Sequence, residues 1–197
     1  MHPADPAAAL ARLLDGNLRF AAGRPEAAAA SADRIALAHA QRPFAAILGC
    51  SDSRVPVETV FDQGPGELFV IRLAGNIVTT EGLGSIEYAV EVLGSSLVAV
   101  LGHSNCGAVR AAMSLVESGT VFPGHIQLLA EAIAPIAADT RTADDAWWPA
   151  AVACNTRAAR LALLRRSPLL RVAATRGKLR VAAMLYDLQS GVVELLD

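Results

Sequence analysis

The most informative part of the chain is residues 44–54, which read FAAILGCSDSR. An apolar run ends here at Gly49 and is followed directly by a cysteine, and then by an aspartate and an arginine. The same arrangement returns in residues 96–106, SLVAVLGHSNC, where a second apolar run leads into a histidine and a cysteine. Short apolar runs bounded by polar residues are typical of buried strands. The two segments therefore predict two strands that carry chemically active side chains at their carboxyl ends.

Outward from these segments, strand and helix patterns alternate along the chain. The predicted strands are residues 44–49, 67–73, 96–102, 179–187 and 192–196, and the predicted helices are 5–22, 32–40, 57–61, 80–93, 107–117, 143–166 and 168–175. Residues 119–142 are ambiguous and are expected to be partly helical. Such alternation predicts an α/β fold, with a mostly parallel four-stranded sheet and helices on both faces. The turn at residues 189–191 adds the last strand as an antiparallel edge.

The two polar segments also indicate the order of the strands. If both serve one site, the first and third strands are neighbours and the second lies on the far side of the first, which makes the order 2-1-3-4. The crevice between the first and third strands is then the point where the winding of the sheet reverses. Open parallel sheets bind their ligands at that point, outside the carboxyl ends of the strands.

Length and charge limit the architecture and the partners. The 197 residues fit a single domain, 1–197, in which residues 1–40 form a helical arm ahead of the first strand. Seventeen basic and 19 acidic residues give a net charge of −2, which excludes a dedicated nucleic-acid binder. No apolar run approaches the ~18–20 residues that span a bilayer, and the first residues lack the pattern of a secretion signal. We therefore expect a cytoplasmic protein without a membrane partner.

Side chains of the two segments form a ligand set for zinc. Cys50, His103 and Cys106 supply two thiolates and one imidazole. With Asp52 or water in the fourth position, this set describes a catalytic zinc site better than a closed structural one. Arg54 stands two residues after Asp52 and can hold it in a bidentate ion pair, away from the metal.

The predicted helix 80–93 is apolar on two sides. One side carries an aliphatic stripe made of Leu83, Ile86, Val90 and Leu93. Tyr88 and Val92 lie on the opposite side, since they are four residues apart on a helix. A helix of this kind is buried on both sides, either within its own chain or against a second copy.

Three motifs in this order closely resemble the β-class carbonic anhydrases: CSDSRVP at residues 50–56, GELFVIR at 66–72 and GHSNCG at 102–107. The resemblance is strongest over residues 41–109 and extends weakly towards both ends of the chain. It implies the reversible hydration of carbon dioxide to bicarbonate and a proton. It also implies a homodimer or a larger homo-oligomer, in which the helical arm of residues 1–40 is exchanged between subunits.

The resemblance assigns roles to the residues of the zinc site. It implies one zinc ion per subunit, bound by Cys50, His103 and Cys106. Asp52 and Arg54 match the family's catalytic gating pair, and Asp52 is a possible fourth ligand in a closed state.

A second group of residues matches the family's substrate pocket. Gln41 stands nine residues before the first zinc cysteine, as in members with an accessible zinc site, and Phe69 and Tyr88 match the aromatic residues of the pocket. In the family, these aromatic residues reach the site from a neighbouring subunit. Ile47 replaces the Trp of the bicarbonate-inhibited subtype, although Arg72 matches another residue of that regulatory pocket. The resemblance therefore implies the accessible-site, plant-like subtype.

Two alternative functions fit the same zinc ligands. Hydrolases of carbonyl sulfide or carbon disulfide resemble this family down to the metal ligands. A non-catalytic zinc scaffold, or a redox sensor that forms a Cys50–Cys106 disulfide, would need the ligands alone. The pair of Asp52 and Arg54 argues against a scaffold, because a structural zinc site has no use for a gate.

Overall fold

A five-stranded mixed sheet forms the centre of the molecule, and the computed structural model describes residues 5–26 and 34–196. The strands are β1 (Ala45–Gly49), β2 (Leu68–Arg72), β3 (Leu97–His103), β4 (Arg180–Tyr186) and β5 (Val193–Leu195). Their order is β2-β1-β3-β4-β5, with parallel pairing throughout except between β4 and β5. The predicted sheet is confirmed in its strand order and in its antiparallel edge.

Helices connect the strands and cover both faces of the sheet. They are α1 (Pro6–Ala21), α2 (Arg34–Leu37), α3 (Val57–Val60), α4 (Thr80–Glu91), α5 (Gly107–Ser118), α6 (Ile126–Asp139), α7 (Trp147–Arg166) and α8 (Pro168–Thr175). A 3₁₀ turn at Ala74–Asn76 follows β2. Among the described residues, no helix combines the length and the apolar character that crossing a membrane requires.

The core consists of three apolar clusters. All residues of β1 and β3 are buried, as expected of central strands that are covered on both faces. The cluster on one face includes Leu13 of α1 and Phe61 after α3, and the cluster on the other face includes Ile86 of α4 and Leu163 of α7. The third cluster lies among α5, α6 and α7 and includes Cys50, so that the loop after β1 rests on packed side chains.

Polar contacts cap α1 at its amino end and fasten it to its own chain near the other end. Asp5 caps the amino end, since its side chain accepts a hydrogen bond from the first turn. Towards the other end, the buried Asn17 donates Nδ2 to the carbonyl oxygens of Val60 and Gly191, at 3.1 and 2.9 Å. The Oδ1 atom of Asn17 accepts the backbone N–H of Val193 at 2.8 Å. These bonds link α1 to α3 and to the turn before β5.

The predicted helical arm of residues 1–40 is described in part. Residues 1–4 and 27–33 lie outside the described residues, and the predicted helix 32–40 is represented by the short α2. In the structure, α1 packs against its own chain. If the arm is exchanged between subunits, either α1 makes these contacts with the partner subunit instead, or only the residues after α1 are exchanged. The exchange of the arm between subunits stays a prediction.

The structure differs from the predicted helices in two stretches, residues 119–142 and residues 143–166. Residues 119–142, which are ambiguous in sequence, contain the well-formed α6. The predicted helix 143–166 begins four residues later, at Trp147. The delay arises because the Asp144 carboxylate accepts the backbone N–H of Ala146 at 3.2 Å, which holds these residues in a turn ahead of the helix.

Gly16→Ala is expected to destabilise the fold by about 3 kcal/mol, because a Cβ at this position would overlap the backbone carbonyl oxygen of Phe61. This loss outweighs the gain of about 1 kcal/mol that alanine normally brings to the middle of a helix. Thermal unfolding measures the effect. Gly64→Ala is the control, since its Cβ would make ordinary contact with the Glu67 side chain. Equal unfolding temperatures for the two variants would contradict this packing of α1.

Candidate metal centre

The loops after β1 and β3 bring three metal-binding side chains together at one edge of the sheet. Cys50 directly follows β1, His103 is the last residue of β3, and Cys106 directly precedes α5. The two Sγ atoms are 3.9 Å apart, and one donor atom from each of the three residues lies within 4.8 Å of the others. All three residues are buried. Within residues 5–26 and 34–196, no other group of His, Cys, Asp or Glu residues has a comparable arrangement.

The orientation of His103 fits a metal ligand. Its Nδ1 lies 2.9 Å from the carbonyl oxygen of Ser104, and since a carbonyl oxygen can only accept, Nδ1 carries the proton. The other ring nitrogen, Nε2, then carries no proton and has a free lone pair. It is fully buried and has no hydrogen-bond partner among the described residues. A buried ring nitrogen of this kind, oriented by a hydrogen bond at the opposite nitrogen, is typical of histidines that bind zinc.

The hydrogen bond between the two thiols also favours metal binding. The hydrogen bond between the two thiols lowers the pKa of Cys50, and the backbone N–H of Gly75 contributes in the same direction. The pKa of Cys106 is raised, because its thiol donates to Cys50 and is buried beside that negative charge. A divalent cation between the sulfurs would replace the shared proton and stabilise both thiolates. The residues present therefore fit zinc.

Asp52 lies beside this group but is held by Arg54. The guanidinium group donates Nε to Oδ1 at 2.9 Å and Nη2 to Oδ2 at 2.7 Å, which is a bidentate ion pair. These hydrogen bonds hold the pKa of Asp52 well below its usual range. Asp52 Oδ2 also lies 3.9 Å from His103 Nε2. The predicted pair of Asp52 and Arg54 is therefore formed at the edge of the candidate metal centre.

Two further side chains hold the backbone of the ligand loops. Arg72, at the end of β2, donates Nε to the carbonyl oxygen of Cys50 at 3.0 Å and Nη2 to that of Asp52 at 2.5 Å. Trp148 of α7 donates Nε1 to the carbonyl oxygen of Cys106 at 3.2 Å. Sequence reasoning did not find these contacts, because a bond from a side chain to a distant carbonyl group leaves no pattern of residue types.

The predicted substrate residues lie near one another and away from the metal ligands of their own chain. The rings of Phe69 and Tyr88 are 6.2 Å apart between centroids, with an interplanar angle of 40°. Gln41 and Tyr88 line the same open cleft of about 640 Å³. Phe69 pairs with Ala46 in β1, four residues before Cys50, which is about 13 Å along a strand. The chain therefore does not bring this group to its own zinc ligands.

Comparison with known proteins agrees with this geometry. A family model described as carbonic anhydrase matches residues 45–193. Carbonic anhydrase 2 of Mycobacterium tuberculosis is 49% identical over 132 residues, which cover 66% of this chain and 64% of the relative. The chain thus matches slightly less than two thirds of that relative's length. Carbonic anhydrase of Pseudomonas aeruginosa is 38% identical over 193 residues, which cover 94% of this chain and 86% of the relative.

Solved structures extend the similarity to the fold. A β-carbonic anhydrase from Coccomyxa, solved in complex with acetazolamide, is 30% identical and superposes with a TM-score of 0.73, covering 93% of this chain and 84% of that one. One of two tetrameric β-carbonic anhydrases from Sordaria macrospora is 26% identical with a TM-score of 0.75, covering 93% and 94%. With its Cys-His-Cys group at the switch point of the sheet, the chain belongs to the β-class carbonic anhydrase family.

Proposed function

We propose that this protein catalyses the reversible hydration of carbon dioxide to bicarbonate and a proton, with one zinc ion bound by Cys50, His103 and Cys106. The observation that carries the proposal is the buried group of two thiols and one imidazole, with the ionised carboxylate of Asp52 beside it. A structural zinc site would use four protein ligands and leave no position for a reactant. Family membership and the names of the relatives support the same assignment.

The residues around the centre have separable tasks. When bound, zinc would lower the pKa of a coordinated water molecule, so that the water becomes a nucleophile without a strong base. Asp52 would accept a hydrogen bond from that water and orient its attack on the carbon atom. Arg54 keeps Asp52 ionised and holds it at the edge of the centre, off the metal, because it binds both carboxylate oxygens. The carbonyl oxygen of Ser104 holds His103 in the tautomer that offers Nε2 to the metal.

The proposal assigns Gln41, Phe69 and Tyr88 to the substrate pocket of a neighbouring copy. Their distance from the zinc ligands of their own chain supports this assignment. The two aromatic rings suit a small uncharged molecule, and the Gln41 amide can donate a hydrogen bond to one of its oxygens. Ile47, which is fully buried in β1, occupies the position of the Trp of the bicarbonate-inhibited subtype. We therefore assign the protein to the accessible-site subtype.

The exposed side of α4 supports assembly of at least two copies. Tyr88 of α4 is 47% exposed, and Val92, which directly follows this helix, is 62% exposed. Large apolar side chains that lie together on a surface often mark an interaction site. Covering this side with a second chain would bury both residues and bring Phe69 and Tyr88 towards the partner's zinc ligands. A relative from Sordaria macrospora is described as tetrameric. We propose a homodimer or a larger homo-oligomer, with residues 1–40 as the exchanged arm.

Val92→Glu is expected to shift the protein towards the monomer and to lower CO₂ hydration in parallel, while zinc is retained. A carboxylate in an apolar contact loses its hydration without a partner, which opposes association. Sedimentation velocity at micromolar concentration measures the assembly. Val121→Glu places the same charge on an exposed residue outside α4 and is the control. If both variants assemble like the wild type, α4 is not the contact surface.

The choice of substrate is tested on one zinc-loaded preparation. CO₂ hydration is followed with a pH indicator, and hydrolysis of carbonyl sulfide is followed as sulfide released into the headspace. The proposal predicts rapid CO₂ hydration. Sulfide release without CO₂ hydration would reassign the same zinc centre to a sulfur analogue, and zinc binding without turnover of either substrate would indicate a scaffold.

A further inference from the structure

Asn155 of α7 is connected to a zinc-ligating sulfur through one backbone residue. Its side chain is buried, and its Nδ2 donates a hydrogen bond of 2.9 Å to the carbonyl oxygen of Gly75. Gly75 donates its own N–H to Sγ of Cys50 at 3.3 Å. Two consecutive hydrogen bonds thus link a helix late in the chain to the loop after β1.

Gly75 has a backbone conformation that needs such an anchor. Its φ of +68° lies in the left-handed region, which favours glycine. A Cβ at this position would lie 2.6 Å from Cδ1 of Ile133 and 3.0 Å from Cβ of Ala108, so the packing against α6 and α5 also requires glycine. Glycine is the residue least restrained by its own backbone. The hydrogen bond from Asn155 fixes the carbonyl group of Gly75, which belongs to the peptide after this residue, whereas the N–H belongs to the peptide before it. Fixing the carbonyl group limits rotation about the two backbone bonds of Gly75, and so limits how far its N–H can turn away from Cys50.

The direction of this N–H matters for the sulfur. An N–H···S hydrogen bond draws electron density away from a thiolate and orients its lone pairs, and such outer contacts tune the strength of a metal ligand. We propose that Asn155 is a positioning residue of the metal centre, which holds the Gly75 N–H on Cys50 Sγ and thereby sets the affinity and donor strength of that ligand. This inference rests on the proposed zinc centre and adds a residue that does not touch the metal.

The test separates this role from a merely structural one. Asn155→Leu removes the amide donor at similar volume, and Asn155→Ser is a smaller change that keeps the test available if the leucine variant fails to fold. Asn17→Leu is the matched control, because Asn17 is also a buried asparagine whose Nδ2 binds backbone carbonyl oxygens, in α1. Zinc affinity is measured by competition with a chelator. The thiolate-to-metal charge-transfer band is recorded after substitution with Co²⁺.

For the Asn155 variants we expect the zinc dissociation constant to rise by about 10- to 100-fold, because Cys50 is no longer held ready for the metal. We also expect the cobalt band to move to longer wavelength, because the thiolate becomes richer in electrons. The Asn17 variant should lose stability and keep both values. A folded Asn155 variant with the wild-type zinc affinity and the wild-type cobalt band would overturn the inference. Neither readout depends on CO₂ turnover, so failure of the proposed function would be seen separately.

Discussion

Cys106→Ser is expected to produce a folded protein that retains no zinc during purification and hydrates CO₂ at the background rate. A serine hydroxyl does not ionise near neutral pH, so the site keeps one thiolate and one imidazole. Zinc bound through several protein ligands has a binding free energy of about 10–16 kcal/mol. Loss of one thiolate removes roughly a third of it, about 4 kcal/mol, or a factor of about 10³ in affinity. Elemental analysis of the purified protein measures the zinc content.

The third cysteine is the matched control for this substitution. Cys154 lies on α7, is partly buried, and does not belong to the group of metal-binding side chains. Cys154→Ser should therefore keep one zinc ion per chain and full activity. If Cys106→Ser also kept its zinc and its activity, the ligand set would be wrong. Loss of zinc from both variants would indicate a general effect of the substitution.

Asp52→Asn is expected to keep one zinc ion per chain and to lower kcat/KM by about 10²-fold or more, because it removes the acceptor that orients the attacking water. The amide has the same shape but cannot accept through two charged oxygens, and it leaves the Arg54 guanidinium without its counter-charge. Arg54 holds the pKa of Asp52 well below its usual range, so the wild-type carboxylate is ionised throughout ordinary assay conditions. The ratio of the wild-type kcat/KM to that of the variant should therefore be constant between about pH 6 and 9.

Asp144→Asn controls for loss of a surface carboxylate. Asp144 is exposed and accepts hydrogen bonds in the turn before α7, so we expect near-normal activity. Full activity of Asp52→Asn would remove Asp52 from the mechanism. Loss of zinc from Asp52→Asn would instead make Asp52 a ligand, and the bidentate contact with Arg54 would then not describe the working state.

The sheet and the zinc ligands were predictable because short stretches of neighbouring residues indicate them. The apolar runs of β1 and β3 each lead into polar residues, and parallel strands place such residues at one edge of the sheet. Helix α6 was ambiguous because Pro135 stands inside it, where proline usually ends a helix. In the structure, α6 continues through Pro135 and contributes Ile133 and Ala137 to the apolar cluster among α5, α6 and α7.

The contacts that support the zinc ligands were not predictable in the same way. Arg72, Trp148 and Asn155 each reach a backbone carbonyl group that lies between 20 and 80 positions away in the chain. Such a bond constrains one side chain only and produces no periodic pattern. These contacts can be identified only from the folded structure, because the packing of β2 and α7 around the ligand loops brings each side chain to its carbonyl group.

The most direct test of the zinc-centred reaction is stopped-flow CO₂ hydration with a pH indicator at mildly alkaline pH. The sample is the full chain with one zinc ion per copy, measured before and after removal of the metal by a chelator. We expect a fast rate that the chelator abolishes and added zinc restores. A rate indistinguishable from the uncatalysed reaction, in protein that carries its full zinc, would contradict the assignment.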